Sequence, residues 1–157
     1  MASSFFIAGL AVRDSGSVAV NGINSGLILA ARILLTALFL IFGWRKLTDH
    51  SGTVTQFAQL GVPLPRLAAV VATFMELPVA FAVAVGAFAR PSALLMLVYT
   101  LGTALIGHHY WTVTGAAQVD SMDGFYKNLS IMGGFLLLFV TGAGKYSVDV
   151  LCGIAAP

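Results

Sequence analysis

LPRLAAVVATFMELPVAFAVAVG, residues Leu64–Gly86, is the stretch that decides the fold of this chain. It is long enough to cross a bilayer, because a spanning helix needs about 20 mainly apolar residues. Glu76 then falls near the bilayer midplane. A carboxylate there costs roughly 2.5–3.5 kcal/mol on insertion scales, so it is expected to face the inside of a helix bundle and to have a partner. Pro78, two residues on, has no N–H and leaves the carbonyl of Phe74 without its helical donor. One short stretch therefore predicts a buried acid and a helix irregularity together. Ala69, Ala72, Thr73 and Ala80 share the helical face of Glu76, and small residues let neighbouring helices approach closely.

Composition extends this reading to the whole chain. Of 157 residues, 59% are hydrophobic and 9% charged, against about 25% charged in soluble domains. This predicts an all-α integral membrane protein of one compact domain. The net charge of +2 is small and dispersed, which argues against nucleic acid as a partner. A single cysteine, Cys152, excludes an internal disulfide and a cysteine-only metal site. No residue group points to a metal.

Working outward, residues 1–25 read as a flexible N-terminal tail, with Asp14–Ser25 rich in Gly, Ser and Asn. Phe5–Val12 is too short to span, and the basic start of a signal peptide is missing, so no cleavage is expected. The first span is predicted from Leu27 to Leu47. Arg32 lies in its first turns, where a long stem can snorkel to the interface. Trp44 suits the headgroup belt. Adjacent Arg45 and Lys46 diverge by about 100°, so at most one faces the bundle squarely.

Ser51–Leu60 is predicted as a short interfacial helix, capped by Ser51 and stopped by Gly61 and Pro63. The second span is Leu64–Gly86. The third opens at Pro91 and ends near Gly107-His108-His109-Tyr110-Trp111. A polar loop, Thr112–Gly124, carries Asp120 and Asp123. The fourth span is predicted from Phe125 to Thr141, with Asp123 and Lys127 as an i,i+4 pair if the helix starts early. The expected architecture is a bundle of four transmembrane helices over residues 26–149, with the interfacial helix between the first two and a C-terminal tail at 150–157. Both termini share one side, expected to be the cytoplasm, although the positive-charge bias between sides is nearly even.

Alternating spans bring Lys46, His108 and His109, and Lys127 with Asn128 to one membrane face, above the deeper Glu76. This predicts a cationic, histidine-containing mouth over a buried carboxylate. Such a pocket suits the polar head of a quinone or lipid, and a carboxylate and imidazole there can exchange protons with it. Each group also has a plainer reading: lysines snorkel, histidines sit at headgroup level, and Glu76 can be a hydrogen-bonding anchor of the bundle. No serine or cysteine nucleophile with a base, phosphate loop or nucleotide fingerprint is evident.

These pieces together resemble the DoxX family of small bacterial membrane proteins. The resemblance covers roughly Leu27–Asp149. It rests on Ala31-Arg32, Gly43-Trp44-Arg45-Lys46-Leu47, Leu60-Gly61-Val62-Pro63, Glu76, Gly86 with Arg90, a histidine ending the third span, Lys127-Asn128-Leu129, and Gly142-Ala143-Gly144-Lys145-Tyr146-Ser147-Val148-Asp149. Arg32, Lys46, Glu76, one histidine of the pair, Lys127 and Asn128 match polar positions of the family. The insert Tyr110–Met122 departs from its pattern.

The resemblance implies a four-span bundle in the bacterial inner membrane. It also implies, from relatives that look like subunits of quinone-linked oxidoreductases or partners of periplasmic or membrane redox proteins, a quinone- or lipid-binding subunit or partner of an oxidoreductase system. On this reading the chain is not an enzyme by itself, quinone is the one cofactor to consider, and Arg32, Trp44 and Pro78 are structural or interfacial. A non-catalytic assembly or scaffold protein is the alternative, with homo-oligomerisation open. A small transporter or proton channel is less favoured, because no inverted repeat is visible.

Overall fold

A computed structural model describes the backbone of residues 15–155 and the side chains of residues 24–155. The described residues form helices and short connections, with no strand among them. Helix α1 is Ser15–Thr48, α2 is His50–Gln59, α3 is Pro65–Phe74, and a wide π turn at Met75–Val79 leads into α4, Ala80–Val85. Helix α5 is Ala89–Gly107, a 3-10 turn covers Tyr110–Thr112, α6 is Ala116–Thr141, and α7 is Val148–Leu151. Four segments are long and apolar enough to cross a membrane: Asn24–Thr48, Pro65–Val85, Ala89–Thr112 and Ala116–Thr141. Only 22–33% of each apolar stretch is buried inside the bundle. Leu34, Val70, Phe81, Leu95 and Leu137 point outward, the arrangement expected where lipid is the solvent.

The π turn is where the sequence places the irregularity. Pro78 sits inside it and supplies no N–H to the carbonyl one turn back, and the backbone accommodates this with a wider turn. The consequence is a change of neighbours along one span. The π turn and α4 pack on both α1 and α5, whereas α3 packs on α1 and α2 and hardly touches α5. Helices α5 and α6 form the tightest pair, and α1 meets α6 only thinly. The core lies between Phe39, Val79, Val83, Met96, Phe135 and Leu138. Ala69, Ala72 and Ala80, three of the four small residues on the Glu76 face, are buried, and Ala80 joins this core.

Several boundaries differ from the sequence expectation. Helix α1 already begins at Ser15, so Ser15–Ser25 is helical and not loop; residues 1–14 lie outside the described residues. Asp49, not Ser51, caps α2, accepting from Gly52 N at 2.9 Å. Helix α5 ends at Gly107, which leaves His108 and His109 beyond its last turn. The expected loop at Thr112–Gly124 is helical from Ala116 onward, which puts Asp120 and Asp123 on α6. Asp123 and Lys127 are nonetheless both exposed and form no ion pair. The expected tail at 150–157 begins inside α7.

Candidate functional site

Glu76 is 6% exposed and lies in the π turn. Two helices converge on its carboxylate. Lys46 Nζ, from the last turn of α1, donates to Glu76 Oε2 at 2.6 Å. The Tyr99 hydroxyl, from the middle of α5, donates to Oε1 at 2.5 Å. Among the described residues Lys46–Glu76 is the ion pair. Lys46 is the inward-facing member of the Arg45–Lys46 pair, and its Nζ also sits 5.5 Å from the centroid of the Phe42 ring. A glycine makes this approach possible. A Cβ at Gly43 would lie 2.8 Å from Glu76 Cβ and 2.9 Å from the Glu76 carbonyl carbon. No larger residue at 43 lets α1 come this close to the π turn.

The ion pair closes one end of a cavity of about 430 Å³, within the roughly 300–1,000 Å³ of small-molecule sites. Its walls are Val71 and Ala72 from α3 and Gly102, Thr103 and Ile106 from α5, with Gln56 and Phe57 of α2 and Leu60 just after it as the roof. The wall is thus mostly apolar, with an ammonium, a carboxylate and a phenol gathered at one point. His108 stands at the mouth. Its ring rests against Gly124 of α6, where any Cβ would collide with it.

The predicted residues do not all meet. Lys46, Glu76 and His108 share the cavity wall. Asn128 is buried one layer behind, its Nδ2 donating to Thr103 Oγ1 at 3.4 Å. His109 lies outside the cavity, its Nδ1 2.8 Å from Ile106 O. Lys127 is exposed and borders a separate groove of about 550 Å³ between α1 and α6. Trp44 is 62% exposed on the outer face. Tyr99 was not among the predicted residues. A phenol in the middle of an apolar span must find a partner, and that requirement was its one sequence signal.

Arg32 does not snorkel. It is 1% exposed and belongs to a second polar cluster at the opposite end of the bundle. There Arg32 Nη2 donates to the carbonyl of Tyr146, while Nε and Nη1 have no hydrogen-bond partner among the described residues. Compensating charge comes from Asp149. That carboxylate accepts from Phe88 N at 2.7 Å and Ala89 N at 2.8 Å, so it caps the start of α5, where an anion is favoured. Gly86, at φ 72°, abuts the guanidinium, and a Cβ there would run into Arg32 and Ser147.

The geometry defines a class: a four-span helical membrane protein with a buried ammonium–carboxylate–phenol site. Comparison with protein families matches residues 27–109 to DoxX, and the chain belongs to the DoxX family. It is 51% identical over 123 residues to the inner membrane protein YphA of Escherichia coli K12, covering 78% of this chain and 88% of that one. It is 40% identical over 124 residues to the inner membrane protein YqjF of the same organism, covering 79% and 90%. No solved structure gives a significant match. With four apolar spans and relatives of this kind, the chain is a multi-pass inner membrane protein.

Proposed function

We propose that this DoxX-family protein binds the polar head of a quinone or lipid beside Glu76 and serves as the membrane subunit or partner of an oxidoreductase system. One observation carries the reading. A buried carboxylate held by Lys46 at 2.6 Å and Tyr99 at 2.5 Å closes a largely apolar cavity. Lys46 has three N–H groups and among the described residues donates one of them, to Glu76. The other two, with the lone pairs of the Tyr99 oxygen, are free to meet a ligand. An ammonium and a phenol in contact with a carboxylate form a set that can lend or accept a proton at a ligand oxygen. Electrons for a bound quinone would come from a redox partner.

The test is mass spectrometry of gently solubilised protein, reading quinones, lipids and copurifying polypeptides together. A bound quinone or lipid that is depleted in Glu76→Gln is the expected result. Retention of the same molecule by that variant, with the protein still in the membrane, would remove the site. A second reading, a scaffold for another membrane protein, is favoured by the apolar groove between α1 and α6. It expects a stoichiometric protein partner that is lost when Gly134, which faces Leu35 there, is replaced by Phe.

A further inference from the structure

We infer that the occupant of the Glu76 cavity is an uncharged, single-chain amphiphile with its tail lying in the gap between α3 and α5; this rests on the functional reading above. Two independent observations support it. The first is charge. Among the described residues Lys46 is the one cation that touches the cavity's buried carboxylate, and the two lie 2.6 Å apart. The pair has no net charge to offer, and among the described residues the wall adds only the His108 imidazole at the mouth. An anionic phosphate head would therefore bring a negative charge close to Glu76 with no lysine or arginine left to match it. Burying such a charge unpaired is costly. A carbonyl or hydroxyl head has no such penalty and can accept from the remaining Lys46 N–H groups.

The second observation is the shape of the wall. Above the π turn, α3 and α5 hardly touch. Val71 on α3 and Ile106 on α5 both line the cavity, yet they are 48% and 46% exposed. They are the two edges of an opening that faces the bilayer, and Phe57 of α2 with Leu60 at its C-cap roofs it. Gly102 forms its floor on α5, where a Cβ would meet nothing within 4 Å. A molecule dissolved in the membrane can enter sideways here and leave its tail among the lipids. A two-chain phospholipid would have to pass both chains through the same slot.

The experiment is equilibrium binding to the full chain in lipid nanodiscs with three probes. These are a decyl-chained trimethylbenzoquinone, its tail-less tetramethyl counterpart, and decyl phosphate. The decyl quinone should bind at least tenfold more tightly than either of the others. Ile106→Trp, a change at an exposed edge, should weaken the decyl quinone at least tenfold while leaving the tail-less ring within twofold. Val71→Trp repeats the test from the other edge if the first variant is poorly folded. Decyl phosphate binding as well as the quinone would overturn the charge argument. Unchanged decyl quinone binding in both edge variants would overturn the opening, even if Gly102→Leu or Glu76→Gln still abolished binding and so upheld the site. If neither quinone binds the wild type, the quinone half of the functional reading fails and takes this inference with it.

Discussion

The two buried charge clusters of this bundle are built oppositely. At one end, Arg32 and Asp149 are held by backbone: the arginine, which borders the α1–α6 groove, donates to a loop carbonyl, and the carboxylate accepts from two backbone N–H groups at the start of α5. At the other, Glu76 is held by two long side chains, and those side chains also line a cavity. Backbone partners fix a charge as part of the scaffold, because they cannot move without moving a helix. Side-chain partners bordering open space can re-orient toward a ligand. A buried charge is therefore informative only together with the kind of group that satisfies it.

Breaking the open cluster should cost most. Lys46→Met leaves the Glu76 carboxylate uncompensated, and removal of one partner of a buried pair costs about 3–5 kcal/mol. Reversible unfolding in mixed micelles measures this. Adding Glu76→Leu should return much of the stability, since apolar replacement of both partners is often neutral, but it should not return ligand binding. Recovery of binding in the double variant would show that the pair is only structural.

Tyr99→Phe comes next. It deletes one hydrogen bond to a charged group, worth about 1.5–3 kcal/mol, and removes the lone pairs offered to a ligand. It should lower both stability and probe affinity; a fall in stability alone would make Tyr99 a prop for Glu76. Asp149→Ala, in the backbone-held cluster, should cost about 1–2 kcal/mol through loss of the α5 cap, with a further loss because the buried Arg32 guanidinium loses its facing charge, and should leave probe affinity unchanged. A binding defect there would join the two clusters. The smallest effect is expected at the histidines. His109→Ala should stay within about 0.5 kcal/mol of wild type with normal binding, whereas His108→Ala should alter binding at the cavity mouth. Equal effects of the two would contradict their different positions.

Legibility from sequence followed the range of the forces involved. Glu76 as a buried acid and Pro78 as a backbone break were readable, because each follows from one residue's own chemistry in an apolar run, whereas the choice between Arg45 and Lys46 as the inward cation stayed open. Lys127 and His109 were grouped with Glu76 only by membrane side. Side is a coarser coordinate than helix face, and the two residues turned out to flank the site. Arg32 was expected at the interface because a long stem reaches water at little cost. The partner that draws it inward, the carbonyl of Tyr146, is far along the chain. The start of α6 was misplaced because the polar run at Thr112–Gly124 looks like a loop, yet its residues from Ala116 form the water-side turns of a long helix.

The sequence alone determined the solvent, the number of spans and the burial of the acid, since apolar length and charge depletion act locally and lipid enforces them strictly. Only the tertiary structure decided which groups meet. The π turn directs α4 toward α5 and leaves α3 apart from it, Gly43 admits α1 to the back of Glu76, and Tyr99 arrives from a third helix. Those are contacts between elements distant in sequence. They depend on how helices pack and where they part, and one segment's composition holds no record of its neighbour's face.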